Sequence, residues 1–230
     1  MSEARTFVIG DIHGAYTALM QCLALSNFNY QRDTLIALGD VCDGWPETAQ
    51  CVDELLKIRN LVYVLGNHDF WTIEWARKGT TPEIWLEQGG RATMDGYSQG
   101  MPQSHQKLLA KAPNYYVLEN RLFVHAGILP DMELEYQGQD IFLWDRNLCR
   151  MALQLKQEDS ERQLSSFTEI FVGHTPTTRM GVTIPVKACN LWMLDTGAAW
   201  DGCLTIMDVN TKQYYQSDPV WKLYPGIKGR

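Results

Sequence analysis

Four of the five histidines in this 230-residue chain, at positions 13, 68, 125 and 174, stand just after a short apolar run, each in a glycine-containing turn. The carboxylates Asp11, Asp40, Asp43 and Asp69 and the carboxamide Asn67 occupy the same kind of place. Imidazole, carboxylate and carboxamide without thiolate form a mixed nitrogen and oxygen donor set. Such a set suits manganese, iron, zinc, nickel or cobalt rather than copper or an iron–sulfur cluster. Two such ions sharing a carboxylate would lower the pKa of a water held between them. They would also neutralise charge on a phosphoryl group under attack. One histidine after a strand is commonly a packed turn residue. Recurrence in several segments far apart in sequence is what points to a common centre.

The apolar runs are the elements that must position these residues. Residues 6–10, 34–38, 61–65, 121–124 and 169–172 are each β-prone and nearly continuous in apolar character, as expected of strands buried on both faces. Helix-like stretches at 16–26 and 47–59 separate the first three, and this β-α-β-α-β order implies parallel strands with right-handed crossovers. Residues 115–118 and 121–124 read as a hairpin around Glu119-Asn120, and 191–194, 203–208 and 213–216 as further strands. The fold class is therefore α/β with two sheets, the first mainly parallel and the second more antiparallel. In open α/β sheets the carboxyl ends of the strands form the ligand crevice, which is where all the candidate ligands fall. Glycines 10, 14, 39, 66, 127 and 173 would let the backbone turn sharply there. The aromatic-rich stretch 70–111 reads as broken helix, either a cap over the site or a helical layer on one sheet face.

Composition bounds the rest. With 45% hydrophobic and 20% charged residues, the chain has enough apolar content for a sizeable core, and a single domain over 1–230 is expected. The net charge of −7 and the lack of a basic run argue against a nucleic-acid polymer as partner. No apolar stretch approaches a membrane span or a signal peptide, so a cytoplasmic location with no membrane association is expected. Six scattered cysteines without a C-x-x-C pair read as small buried hydrophobes, not disulfides or a zinc knuckle.

The motifs Asp11-Ile12-His13-Gly14, Gly39-Asp40-Val41-Cys42-Asp43, Gly66-Asn67-His68-Asp69, His125-Ala126-Gly127 and Gly173-His174-Thr175 run in one order from residue 10 to 175. Together they resemble the calcineurin-like metallophosphoesterases. The likeness is strongest to the phosphoprotein phosphatase branch, which includes the bacteriophage lambda-type protein phosphatase and the bacterial symmetrical diadenosine tetraphosphatases. Leu194-Asp195-Thr196-Gly197-Ala198 and Leu204-Thr205 extend it to about residue 208. The resemblance implies a β-sandwich of two mixed sheets flanked by helices in four layers, and two divalent metal ions, manganese first among them. It implies that Asp11 and His13 bind one metal, that Asp40 bridges both, and that Asn67, His125 and His174 complete the second. His68 would be general acid for the leaving oxygen, with Asp43 orienting and charging its imidazole. Arg146, in Leu143-Trp144-Asp145-Arg146, matches an arginine that forks onto phosphate oxygens.

The second motif departs from the branch, which carries an arginine after the second aspartate where this chain has Gly44. Loss of a bidentate guanidinium removes a contact typically worth about 1.5–3 kcal/mol. Hydrolysis with altered affinity or preference is expected, and Arg91 and Arg179 are the candidates to replace the charge. Trp45 offers either a face for a base or, with more weight, a packed ring beside Pro46. The substrate expectation is a phosphoserine/phosphothreonine protein first, a diadenosine polyphosphate or related nucleotide second. A non-catalytic metal- or phosphate-binding protein is the alternative of another class. An intact His68 and Asp43 weigh against that last reading. Neither the oligomeric state nor the native metals follow from the residues.

Overall fold

A computed structural model describes residues 3–159 and 162–230. Alternation within each strand decides the architecture. In β1 (Thr6–Ile9), Phe7 and Ile9 pack into one apolar cluster and Val8 into another; in β2 (Thr34–Ala37), Leu35 and Ala37 divide from Ile36 in the same way. The pattern repeats in β5 (Arg121–Val124) and β6 (Glu169–Val172), where Leu122, Val124, Ile170 and Val172 face outward and Phe123 and Phe171 face inward. Both faces of these strands are covered, which is why their sequences read as unbroken apolar runs.

β1, β2 and β3 (Asn60–Tyr63) run parallel, and β9 (Thr205–Asp208) and β10 (Tyr214–Gln216) add antiparallel to give the order β10-β9-β1-β2-β3. The second sheet, with β4 (Tyr115–Leu118), β7 (Val186–Ala188) and β8 (Leu191–Met193), has the order β4-β5-β6-β8-β7. Its centre, β5-β6-β8, is parallel, with β4 and β7 antiparallel at the edges. The expectation of a more antiparallel second sheet is thus corrected: each sheet mixes both pairings alike. The hairpin had drawn attention to the edge of that sheet, whereas its parallel pairings join segments far apart in sequence.

Between the sheets, Val8, Ile36, Leu38, Phe123, Phe171, Leu194, Met207 and Val209 form a buried layer, with Phe123 and Phe171 stacked at 4.9 Å. On the outer face of the first sheet lie α1 (Tyr16–Leu25) and α2 (Thr48–Leu55), which ends four residues before the expected limit. On the outer face of the second lies α8 (Asn147–Gln157), preceded by α7 (Gln139–Trp144). The order of layers is helix, sheet, sheet, helix.

The stretch from 70 to 111 comprises most of α3 (Asn67–Lys78), then α4 (Glu83–Trp85), a kinked turn over Leu86–Gly90, α5 (Arg91–Gly96) and α6 (Gln103–Ala110). α5 and α6 pack on α2, extending the helical layer of the first sheet. His105, the fifth histidine, sits in that layer between the Tyr97 hydroxyl and Asp53, at 2.9 Å from each. A last helix, α9 (Val220–Leu223), returns the chain to α1.

Candidate metal centre

The turns after β1, β2, β3, β5, β6 and β8 meet at one crevice, where the two sheets present the carboxyl ends of their parallel strands. Close approach of backbone to carboxylate explains two of the glycines. A Cβ on Gly66 would lie 2.1 Å from Asp40 Oδ1, and one on Gly173 would lie 2.1 Å from Asp11 Oδ1. Each carboxylate is aimed by a backbone N–H from another motif. Asp40 Oδ1 accepts from His68 N at 2.9 Å, at the N-terminus of α3, where the helix dipole favours negative charge. Asp11 accepts from His174 N at 3.0–3.1 Å, across 163 residues and from the other sheet.

Two groups of ligand atoms result, each with all atoms within 4.8 Å: Asp11, His13 and Asp40, and Asp40, His125 and His174. Asp40 belongs to both. Its Oδ2 lies 3.8 Å from His13 Nε2 and 3.4 Å from His125 Nε2, between the two groups. Asn67 Oδ1 joins the second, 2.8 Å from His125 Nε2 and 2.9 Å from His174 Nδ1. His13 Nδ1 and His125 Nδ1 lie 3.0 and 2.7 Å from the carbonyl oxygens of Cys42 and Leu38. A carbonyl can only accept, so both rings carry their proton on Nδ1 and turn the Nε2 lone pair inward, the tautomer a metal ligand needs.

The electrostatics fit the same occupant. Burial, then the charges of Asp195 and Asp40, push Asp11 well above the usual carboxylate range; burial and Asp69 do the same to Asp40. Burial holds His13 and His174 well below the ordinary histidine value and His125 at about 3, so all three imidazoles are neutral. Crowded carboxylates that resist ionisation beside neutral imidazoles make a site in want of cations. Divalent metal ions, which the donor set suits, would supply them.

Beside the first group, His68 Nδ1 lies 2.7 Å from Asp43 Oδ2, and the His68 and His13 rings meet edge-on at 5.0 Å. Asp43 also accepts from Trp85 Nε1 and Thr93 Oγ1, both at 2.7 Å. Burial pushes the Asp43 carboxyl up to about 8 against the pull of those two donors. Burial, then the Arg230 charge, lowers His68. His68 Nε2 is buried and has no hydrogen-bond partner among the described residues. Trp85 and Thr93 come from 70–111, so that segment reaches the site by gripping Asp43. On the far side, Arg146 Nη1 donates to the His174 carbonyl at 2.9 Å and approaches Thr175 Oγ1 at 3.3 Å.

The structure thus brings together Asp11, His13, Asp40, Asn67, His125, His174, His68, Asp43 and Arg146. Asp69 is of another kind: it accepts from the N–H groups of Asp40, Val41 and Gly66 and from the Tyr63 hydroxyl, at 2.7–3.1 Å. It latches the loop that carries Asp40. Asp195, absent from the candidate set, is buried at the end of β8 with its carboxyl raised to about 6 by burial. Its place after an apolar run, as in the other motifs, was the available signal. Arg91 is exposed on α5 beside Thr81, Leu86, Met94 and Asp95, and does not replace the missing charge. Arg179 is exposed beyond Arg146, close enough for its charge to be felt there. Trp45 is fully packed, stacked on Tyr224 at 5.0 Å, and offers no face to a base. The cation that reaches the His13 side of the site, Arg230, carries no sequence signal.

A family model described as calcineurin-like phosphoesterase matches residues 4–200. Serine/threonine-protein phosphatase 1 of Salmonella typhimurium (strain LT2) is 28% identical over 213 residues, covering 87% of this chain and 89% of that protein. A symmetrical bis(5'-nucleosyl)-tetraphosphatase of Pseudomonas fluorescens (strain SBW25) is 26% identical over 276 aligned positions, covering 91% and 93%. A serine/threonine phosphatase structure from Saccharomyces cerevisiae superposes with a TM-score of 0.62 at 13% identity, over 99% of this chain and 83% of that one, and shows the shared fold.

The latch yields a prediction. Asp69→Ala leaves several buried N–H groups without an acceptor, at about 1–3 kcal/mol for each that water does not reach. Urea unfolding should show at least about 3 kcal/mol lost, with bound metal reduced. A loss under about 1 kcal/mol would mean that the 40–42 loop holds its shape unaided.

Proposed function

This chain belongs to the calcineurin-like phosphoesterases and is a metal-dependent hydrolase of phosphoester bonds; from that premise we propose that it is a serine/threonine phosphoprotein phosphatase working through two divalent ions, manganese first. The observation that carries the two-ion reading is Asp40 Oδ2, which stands between two ligand groups and belongs to both. Bound there, the ions would supply Lewis acidity toward the phosphoryl oxygens and an activated water.

The chain's own groups do the rest. Asp11, His13 and Asp40 would hold one ion; Asp40, Asn67, His125 and His174 the other. His68, fixed through Nδ1 by Asp43, keeps Nε2 available to protonate the departing oxygen. Asp43, gripped by Trp85 and Thr93, fixes the ring and, once ionised, would stabilise the imidazolium form. Arg146, bent over the His174 carbonyl, has donors left for a phosphate oxygen. A binding module would have little use for a buried histidine–aspartate pair with one free nitrogen, which weighs against a non-catalytic descendant.

The phosphoprotein reading is supported by the alignments. That with the Salmonella phosphatase takes 213 positions to span 87% of this chain. The 276-position alignment spans 91% of this 230-residue chain, so the tetraphosphatase relative carries insertions absent here. One observation favours the nucleotide reading. Trp71 meets the His68 ring edge-on at 5.1 Å and pairs at 4.8 Å with the partly exposed Trp144, the two indoles tilted at 59°, which gives an aromatic rim on the side of the proposed general acid. A base could stack there.

With manganese added, the protein should hydrolyse p-nitrophenyl phosphate. By kcat/KM, a phosphoserine/phosphothreonine peptide should rank above a phosphotyrosine peptide and diadenosine tetraphosphate. If the dinucleotide ranks first, the substrate assignment passes to the second reading; no turnover with any transition metal would defeat the enzyme. His68→Asn should lower kcat by about 10²–10⁴ with metal content unchanged, and loss of metal would place it among the ligands. In Asp40→Asn, elemental analysis should find both ions lost together; retention of either at full occupancy contradicts a shared ligand.

A further inference from the structure

We propose that Arg230 binds the substrate phosphate, supplying from the last residue of the sequence the guanidinium that the second motif lacks at Gly44. The inference rests on the phosphoesterase reading of the site.

The tail is seated rather than loose. Arg230 N donates to the Ala199 carbonyl at 2.9 Å. A Cβ on Gly229 would lie 2.3 Å from that same oxygen and 2.8 Å from the Trp45 ring, so the chain lies flat on Trp45. Trp45 is itself held by Tyr224 and by a 2.7 Å hydrogen bond to the Ala198 carbonyl. From this base the Arg230 side chain runs through a slot between two glycines. Its Cγ lies 3.6 Å from where a Gly44 Cβ would stand and 3.0 Å from where a Gly89 Cβ would stand. Both glycines have positive φ, at +101° and +98°. A Cβ at Gly89 would crowd the arginine stem, while one at Gly44 would stand in ordinary contact with it.

The guanidinium lies 4.8 Å from the Trp200 ring, donates from Nη2 to Gln88 Oε1 at 2.5 Å and brings Nη1 to 3.4 Å from His13 Nε2. Its Nε is buried and has no partner among the described residues. Among the described residues it makes no carboxylate ion pair, although Asp40, Asp195, Asp11 and Asp43 all lie within reach of its charge. A half-buried cation with donors to spare, at the edge of a centre suited to phosphoryl transfer, has the chemistry of an anion clamp. Arg146 stands on the His174 side and Arg230 on the His13 side, so the two would flank a phosphate lying across both ligand groups.

The test uses the full chain loaded with manganese. Orthophosphate affinity is measured by calorimetry and by competitive inhibition, beside KM and kcat for p-nitrophenyl phosphate. Arg230→Ala should weaken orthophosphate about 10- to 100-fold and raise KM, with metal content and Tm unchanged. Arg230→Lys, which keeps the charge but not the fork, should fall between. Millimolar guanidinium should restore part of the affinity of Arg230→Ala and do nothing for the unsubstituted protein. Unchanged affinity would overturn the proposal. So would metal loss, which makes Arg230 a counter-ion of the ligands, or tighter phosphate binding, which makes it a plug. If the unsubstituted protein binds orthophosphate but turns over no ester, the enzyme reading fails while the Arg230 comparison still decides its own question.

Discussion

Too much negative charge for a dry crevice is the constraint on which the molecule depends. Asp11, Asp40, Asp43, Asp69 and Asp195 are all buried within it. Two like charges about 4 Å apart repel by about 4 kcal/mol at an effective dielectric of 20. A hydrogen bond to a charged group returns about 1.5–3 kcal/mol. Donors alone therefore offset only part of the repulsion, and the fold brings what it can. Asp69 collects N–H groups from the loop it restrains, Asp43 an indole and a hydroxyl, and Asp11 an amide from the opposite sheet. Because the donor to Asp11 belongs to the His174 turn and the donor to Asp40 to the α3 turn, aiming the carboxylates also registers the two sheets against each other. The remainder of the charge calls for cations.

Much of this was legible in the residues. Strands covered on both faces must be apolar at every position, so 6–9, 34–37, 121–124 and 169–172 announce themselves, and the polar residues that follow them mark the crevice. Parallel pairing within the second sheet was not legible. It joins β5, β6 and β8 across long intervals, while the local hairpin signal spoke only of the edge. β7, α7 and α8 carry weaker signals, since β7 is three residues long and the two helices follow no site turn. Asp69 occupies the same kind of turn as the candidate ligands, and its residue type alone does not tell a latch from a ligand. Only its five-atom neighbourhood of donors separates them.

Arg230 was illegible for a deeper reason. Its approach to His13 spans 217 residues, and its path runs between Gly44 and Gly89, where a Cβ at Gly89 would crowd it. The segment after α3 turns out to serve both rims of the centre. Trp85 and Thr93 fix Asp43, while Gln88 and Gly89, in the kinked turn between them, receive the arginine. The kink places Gly89 O against Gly44 N at 3.3 Å, tying the second motif to this insertion. A change in one motif position is thereby answered by the geometry of two remote segments, which no reading of the motif in isolation would disclose.

His13, Asp40, Asp43 and His174 all hold positive φ, between 51° and 69°, a backbone region in which side-chain-bearing residues are strained by about 1–3 kcal/mol each. Taken together this is a sizeable fraction of the roughly 5–15 kcal/mol that keeps an ordinary domain folded. Ligands that bind only the folded state return such energy by mass action. Were divalent ions bound at this centre, folding and ion uptake would be one equilibrium, and the supply of metal in the surroundings would govern how much intact protein persists as well as its rate of turnover.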